Sequence, residues 1–201
     1  VLVGHDWGAV AAYAADRIDP DAFSKLVAMA VPPGFDALLF EHPRQALRSW
    51  YLWFFQLPDA PERAIRWRNF ALIAFLWGLW SPGWDYQRSR IESVKATLDR
   101  EDTVENALSY YRQIVGGSLK GMLRSGPPSP DDAPTIEVPG LMVTGARDGC
   151  IGTELFDEAH RAFEADCRVL RVNDAGHFVH QERPAVVGDE VVRFVEGDDG
   201  D

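Results

Sequence analysis

The sequence predicts an α/β fold in which a parallel sheet is covered by helices and interrupted by a long helical insertion. Three observations indicate this fold. Residues 1–16 form an apolar run, a glycine turn and an alanine-rich stretch, typical of strand, turn and helix. Residues 25–31 are a continuous apolar run bounded by prolines and a glycine, as expected of a buried parallel strand. After an aromatic-rich stretch over 35–133, the alternation of strand and helix returns over 134–195.

The first α/β segment, residues 1–34, contains two strands and one helix by this reading. Residues 1–3 predict the end of a strand, and residues 8–16 predict the helix that follows it. The apolar run 25–31 predicts the second strand, because Pro32-Pro33-Gly34 ends it with a turn.

The aromatic-rich segment differs from the segments on either side of it in its hydrophobic periodicity. Over residues 35–133 helical periodicity dominates, and a turn at Ser81-Pro82-Gly83 interrupts it. The proline-rich stretch 127–134 predicts a loop that leads back to the sheet.

The second α/β segment, residues 134–195, repeats the strand–helix rhythm. Strands are predicted at 138–145 and 168–172, and helices at 153–165 and 184–195. The acidic residues that follow, 196–201, predict a disordered tail.

The turn Gly4-His5-Asp6-Trp7-Gly8 presents a carboxylate at a strand-to-helix junction. In a nucleophile elbow this tight, strained turn exposes its central side chain above the sheet, at a helix N-terminus that favours negative charge. We expect side chains at positions 4 and 8 to collide with their surroundings, which would explain both glycines. Asp6 could also serve as a helix N-cap. As a nucleophile, its carboxylate would attack a saturated carbon and leave an ester on the enzyme.

Two further residues complete a triad in the chain order nucleophile, acid, histidine. Asp148 follows the predicted strand ending at Gly145, and His177 follows the strand ending near Val172. Both loops lie at C-terminal strand ends, where open α/β sheets place their sites. Asp148 alone could be a turn residue or an N-cap, and His180 is the rival to His177, which sits directly at the strand end.

Together, Gly4-His5-Asp6-Trp7-Gly8, Asp148 and Ala175-Gly176-His177 resemble the α/β-hydrolases with an aspartate nucleophile, chiefly epoxide hydrolases and haloalkane dehalogenases. The resemblance covers nearly the whole chain. It implies an α/β-hydrolase fold with a helical cap at 35–133 inserted between two core segments.

The resemblance also implies a way to distinguish the two chemistries. Epoxide hydrolases carry two cap tyrosines whose hydroxyls meet the epoxide oxygen. One lies shortly before a Phe-Gln-x-Pro segment, which matches Tyr51, and the other lies in an aromatic-Tyr-Arg context, which matches Tyr111. Tyr110 is the rival to Tyr111, because adjacent helical residues face different ways.

The remaining expectations concern the pocket. The Trp7 backbone N–H is expected to hold the oxyanion, and His5 to support the elbow. The aromatic residues Trp53 and Phe54, with Tyr110, are expected near an apolar substrate. No metal or organic cofactor is expected, since no metal-binding motif is present.

The function expected is therefore the opening of small lipophilic epoxides to diols by water that a His–Asp pair activates. A haloalkane dehalogenase is the alternative, because a second halide-binding indole could come from one of six tryptophans: Trp50, Trp53, Trp67, Trp77, Trp80 and Trp84. A ligand-binding homologue without activity is a third possibility.

Composition excludes several other classes. The net charge of -11 disfavours nucleic acid and anionic membranes as partners, and the longest apolar run, 70–80, is too short to span a bilayer. The two cysteines, Cys150 and Cys167, favour a reducing compartment such as the cytoplasm. Because Val1 lies within a predicted core strand, we expect that an N-terminal portion with a second oxyanion donor precedes it.

Overall fold

The computed structural model describes residues 1–125 and 135–197, and its centre is a parallel sheet. Four strands lie in the order β1-β2-β3-β4, and all neighbours are parallel. Every residue of β2 and β3 is buried, which explains their continuous apolar sequences. The strands are β1 (Leu2–His5), β2 (Leu26–Met29), β3 (Gly140–Gly145) and β4 (Cys167–Val172).

Nine α-helices accompany the sheet in the described residues. The first follows β1, six lie between β2 and β3, and two follow β4. They are α1 (Trp7–Ile18), α2 (Phe35–Glu41), α3 (Pro43–Arg48), α4 (Trp50–Phe54), α5 (Ala60–Trp80), α6 (Arg88–Leu98), α7 (Thr103–Ser125), α8 (Val179–Glu182) and α9 (Pro184–Glu196).

The two faces of the sheet bury separate clusters. On β2, Leu26 and Ala28 join the cluster that includes α1 and the inserted helices. Val27 and Met29, which alternate with them, join the cluster that includes α9. This alternation follows from the period of two along a strand, and it places β2 between the two clusters.

Helix α5 is bent in its middle and then continues to the sheet. Residues 67–70 depart from helical geometry, and Arg68, Asn69 and Phe70 have positive φ values. The second half of the helix ends at Trp80, whose carbonyl accepts hydrogen bonds from the loops after β3 and β4, and Ser81 accepts a further one from the loop after β4.

The predicted helix at 153–165 is wrong. Two short 3-10 turns occupy this stretch, Thr153–Phe156 and Ala159–Ala162. The reason is a contact with Ile136, whose N–H donates to the Ala162 carbonyl and whose carbonyl accepts from the Glu164 N–H. These backbone groups are therefore taken by a bridge to another segment instead of by helical hydrogen bonds.

The two segments with the most polar compositions fall mostly outside the described residues. The predicted loop at 127–134 lies outside them, and the described chain begins again at residue 135, before β3. Of the predicted tail, Glu196 is the last residue of α9 and Gly197 ends the helix with φ 80°. In the described part of the chain, no helix is long and apolar enough to cross a membrane.

Candidate active site

Asp6 lies at the junction of β1 and α1 in a strained backbone conformation. Its φ and ψ are 53° and -118°, a region that costs a non-glycine residue about 1–3 kcal/mol and is typical of functional sites. Its carbonyl accepts hydrogen bonds from the N–H groups of Ala9 and Val10, whereas its carboxylate makes no capping bond to α1 within the described residues. The carboxylate is therefore not used as an N-cap.

The two glycines of this turn differ in the space that surrounds them. A Cβ on Gly4 would lie 2.2 Å from the carbonyl oxygen of Gly8, so the close approach of strand and helix requires glycine there. A Cβ on Gly8 would meet nothing within 4 Å. The prediction of a collision at position 8 is wrong, because that side of the helix start is open.

Asp148 is held in place by its own loop. One of its carboxylate oxygens, Oδ1, accepts hydrogen bonds from the backbone N–H groups of Cys150 (2.7 Å) and Ile151 (2.9 Å). The other, Oδ2, lies 2.9 Å from Nδ1 of His177. This arrangement places the ring proton on Nδ1 and turns Nε2 toward Asp6, whose Oδ1 is 3.7 Å away.

The electrostatics of the three residues are coupled. Burial by itself would lower the pKa of His177, which is 1% exposed, but the charges and hydrogen bonds of Asp148 and Asp6 raise this pKa to about 10. Burial would likewise raise the pKa of Asp6, but His177 outweighs it and the pKa lies below its usual value. The two carboxylates therefore favour the protonated form of this buried imidazole.

Two other histidines lie behind the catalytic candidate. His5 Nε2 donates a hydrogen bond of 2.9 Å to the backbone carbonyl of His177, so His5 connects the elbow strand to the histidine loop. Burial lowers the pKa of His5, and burial together with His5 lowers the pKa of His180 to about 4. The bond to Asp148 is made by His177, whereas the ring of His180 packs 4.5 Å from that of His5.

A cavity of about 610 Å3 opens beside Asp6. Asp6, Trp7, Tyr51 and Tyr111 are among the residues that line it. Much of the remaining lining is aliphatic: Val10, Leu52, Ile114, Val115, Ile136 and Ile151. A cavity with this lining suits an apolar ligand with one polar group directed at the carboxylate.

Tyr51 and Tyr111 come together although they are far apart in sequence. Their ring centroids are 6.1 Å apart at an interplanar angle of 85°. Burial raises the pKa of Tyr51 well above its ordinary value, and burial followed by the charge of Asp6 raises that of Tyr111. Both phenols therefore keep their protons at neutral pH and can act as hydrogen-bond donors.

Three residues that were predicted to lie near the substrate are not among the described residues that line this cavity: Trp53, Phe54 and Tyr110. Tyr110 is 62% exposed, because it points away from Tyr111 on α7. Trp53 is 43% exposed, and Phe54 packs against Phe55 and other aromatic rings of α4. Their predicted contact with substrate has no support in this geometry, whereas Trp7 lines the cavity with its ring 4.9 Å from that of Tyr111.

Sequence reasoning gave no specific role to Trp80 or Cys150. The ring of Trp80 lies 5.6 Å from that of His177 and 5.1 Å from that of Tyr51. Its indole nitrogen is buried and has no partner among the described residues. The thiol of Cys150 is 3.2 Å from the hydroxyl of Tyr51. Neither residue carried a local sequence signal, since both act through contacts between distant segments.

One buried trio could be considered for a metal ion. Asp148, Cys150 and His177 offer ligand atoms that lie within 4.8 Å of one another. However, Asp148 and His177 already bond to each other, and burial followed by the charge of Asp148 raises the pKa of the Cys150 thiol well above its usual value. Because Nδ1 of His177 carries the proton of this bond, it has no lone pair to offer a metal ion, and the trio as arranged does not fit a resident metal.

The chain belongs to the alpha/beta hydrolase family, whose model matches residues 1–190. This family membership agrees with the parallel sheet, the elbow after β1 and the acid and histidine loops after β3 and β4. The helices between β2 and β3 occupy the place at which the inserted cap was expected.

Individual relatives share about a quarter of their aligned residues with this chain. The chain is 25% identical over 198 residues to the AB hydrolase superfamily protein YfhM of Bacillus subtilis, covering 97% of this chain and 65% of that protein. It is 26% identical to epoxide hydrolase 3 of Xenopus tropicalis, covering 98% of this chain and 53% of the relative. The chain therefore spans between half and two thirds of the length of these relatives.

The same fold is found among solved structures. An epoxide hydrolase from Bacillus megaterium, crystallised with an inhibitor, superimposes with a TM-score of 0.78 at 22% identity. The match covers 96% of this chain and 68% of that one. Epoxide hydrolase A of Mycobacterium thermoresistibile gives a TM-score of 0.75 at 22% identity, with 97% and 68% of the two chains covered.

Proposed function

We propose that this protein opens lipophilic epoxides to vicinal diols through an ester on Asp6. The observation that carries the proposal is the position of the strained Asp6 carboxylate. It lies 3.7 Å from a His–Asp pair and lines one cavity together with two tyrosines. The naming of several relatives as epoxide hydrolases supports the same reaction.

In the first step the Asp6 carboxylate attacks an epoxide carbon, and the carbon–oxygen bond of the ring breaks. The electron pair goes to the ring oxygen, which develops into an alkoxide. Tyr51 and Tyr111 donate hydrogen bonds to that oxygen and supply its proton, as positioned acids do. Since the lowered pKa keeps Asp6 ionised, the nucleophile is ready at neutral pH.

In the second step water cleaves the ester. Ester formation removes the negative charge of Asp6, which is one of the charges that raise the pKa of His177. The pKa of His177 therefore falls at the moment when a neutral imidazole is required, and the excess proton restores the tyrosine. His177 Nε2 then takes a proton from water, whose oxygen attacks the ester carbonyl of Asp6.

The intermediate of this second step carries a negative oxygen. We expect the backbone N–H of Trp7 to stabilise this oxygen, since its hydrogen bond to the Asp6 carboxylate contributes to the lowered pKa of that group. When the intermediate collapses, the bond between the Asp6 carbonyl carbon and the substrate oxygen breaks. The leaving oxygen takes the proton of the newly added hydroxyl, so that the diol leaves and Asp6 becomes a carboxylate again, while His177 keeps the proton that it took from water. Asp148 accepts the hydrogen bond from Nδ1–H of His177 and so holds the ring in place.

The lining of the cavity sets the substrate class. Its aliphatic walls favour an apolar substituent, and a volume of about 610 Å3 admits an aryl or medium alkyl epoxide. The expected substrate is thus a lipophilic epoxide whose oxygen points at the tyrosines.

The test uses the full-length protein with one aryl epoxide and one matched haloalkane, and assays diol and halide in parallel. We expect diol formation that Asp6→Asn abolishes, while Asp21→Asn, at an exposed turn, leaves it unchanged. Diol formation that persists in Asp6→Asn would refute the proposed nucleophile.

One observation favours a second candidate, a haloalkane dehalogenase. The buried indole N–H of Trp80 has no partner among the described residues and lies beside His177 and Tyr51. Such a weak donor suits a departing halide. Halide release without diol formation from the epoxide would shift the assignment to this reaction and make Trp80 the residue to substitute.

A further inference from the structure

The end of helix α5 lies between the two loops that carry the acid and the base. The carbonyl of Trp80 accepts one hydrogen bond from the N–H of Gly149 (3.0 Å) and another from the N–H of His177 (3.1 Å). Gly149 follows Asp148 directly in the chain. A single carbonyl from the inserted segment therefore joins the backbone of the acid loop to the backbone of the catalytic histidine.

The histidine loop is held at three consecutive amides. The N–H of Gly176 donates to both carboxylate oxygens of Glu182 (3.0 and 2.9 Å), and the N–H of Phe178 donates to the hydroxyl of Ser81 (3.2 Å). The N–H of His177 between them donates to Trp80. Ser81 in turn donates its hydroxyl proton to Glu182 at 2.7 Å, so the partners are bonded to one another.

This contact leaves no free space. A Cβ on Gly149 would lie 2.0 Å from the carbonyl oxygen of Leu79, and a Cβ on Gly176 would lie 2.5 Å from Cα of Ser81. Ser81 is only 2% exposed. Because buried, fully bonded groups resist displacement, the end of α5 fixes both loops relative to each other.

We propose that Ser81 and Glu182 are positioning residues for His177, acting through the backbone of the histidine loop. Neither needs to touch the substrate. Their effect is to keep Nδ1 of His177 at 2.9 Å from Asp148 and Nε2 in front of Asp6. The inserted segment thus has a role beyond lining the cavity, because the residues at the end of α5 hold the base in place.

The inference rests on the two-step reaction proposed above, and that reaction provides a specific test. Ester formation uses Asp6 and the tyrosines, whereas ester hydrolysis uses His177. Ser81→Ala removes the acceptor of the Phe178 N–H and one donor to Glu182, so we expect hydrolysis of the ester to slow by about 10–100-fold. Ester formation should stay within about threefold of wild type, as expected when His177 alone is displaced.

The measurement is single-turnover kinetics with an aryl epoxide, followed by intact mass of the protein. We expect the mass of the ester to accumulate in Ser81→Ala, with kcat and KM falling together and kcat/KM unchanged. Glu182→Gln retains one oxygen acceptor for Gly176, so we expect a smaller accumulation than in Glu182→Ala. His177→Gln is the positive control for a trapped ester.

Two exposed positions supply matched controls, Ser93→Ala on α6 and Glu101→Gln before α7, which should show no accumulation. If ester formation and hydrolysis fall in parallel with the folded fraction, or if hydrolysis in Ser81→Ala and Glu182→Ala stays within about twofold of wild type, this inference is overturned. If His177→Gln traps no ester either, the proposed reaction itself fails and this inference fails with it.

Discussion

The stability of the fold should decrease as the pH rises from 6 to 10, because His177 loses its proton. In the native structure the carboxylates of Asp148 and Asp6 raise the pKa of this buried imidazole to about 10. In the unfolded chain the pKa of a histidine is about 6.5. The native state therefore binds a proton that the unfolded state has lost throughout this interval, and stability falls with increasing pH.

The magnitude follows from the difference between the two pKa values. At about 1.36 kcal/mol per pKa unit, protonation of His177 contributes roughly 5 kcal/mol below pH 6.5, and nearly all of it is lost by pH 10. Asp6 acts at the other end of the scale. Its native pKa lies below its ordinary value, so its contribution is present above that ordinary value and is lost as the pH falls through the native pKa.

The assay is urea unfolding at pH 6, 7, 8, 9 and 10 at constant ionic strength, monitored by tryptophan fluorescence. Other groups titrate in this range, so the informative quantity is the difference between wild type and His177→Gln at each pH. His160→Gln, at an exposed position, is the matched control and should follow wild type. A free energy of unfolding that falls as steeply in His177→Gln as in wild type would refute the reasoning.

Three further predictions concern single residues of the site. Asp148→Asn should slow ester hydrolysis by about 10⁴-fold, because an amide NH2 facing Nδ1 favours the wrong tautomer; single-turnover rates measure this, and a loss below tenfold would contradict it. Tyr111→Phe should lower kcat/KM for the epoxide by about 10²–10³-fold, whereas Tyr110→Phe, at an exposed position, should change it less than about twofold. Equal effects of the two substitutions would contradict the assignment of Tyr111 as the donor to the epoxide oxygen. Gly4→Ala should cost about 3 kcal/mol or more in urea unfolding because its Cβ meets backbone at 2.2 Å, while Gly8→Ala should be neutral or stabilising by up to about 1 kcal/mol; comparable losses at both positions would contradict the packing described for the elbow.

Features encoded by local sequence were predictable. The strands were identified at nearly their observed positions because buried parallel strands are short apolar runs with turns at their ends. Asp6, Asp148 and His177 lie in the turn or loop that follows three of these strands. Since the carboxyl ends of parallel strands share one edge of the sheet, their convergence followed from strand order.

Features that depend on contacts between distant segments were not predictable. The aromatic-Tyr-Arg context favoured Tyr111 over its neighbour Tyr110, but only the packing of α7 leaves Tyr110 62% exposed and brings Tyr111 to the cavity. Trp53 and Phe54 carry the same aromatic signal as Tyr51, yet they pack elsewhere. The helix expected at 153–165 is replaced because Ile136 takes the backbone hydrogen bonds of residues 162 and 164.

The sequence by itself determined the four strands and the turn around Asp6, because each depends on residues that are neighbours in the chain. The tertiary structure determined that Tyr111 lines the cavity and what holds the loop of His177. Ser81 and Glu182 are 101 residues apart and share a hydrogen bond. No pattern of neighbouring residues encodes such a contact, because it exists only once the end of α5 has packed between the acid and histidine loops.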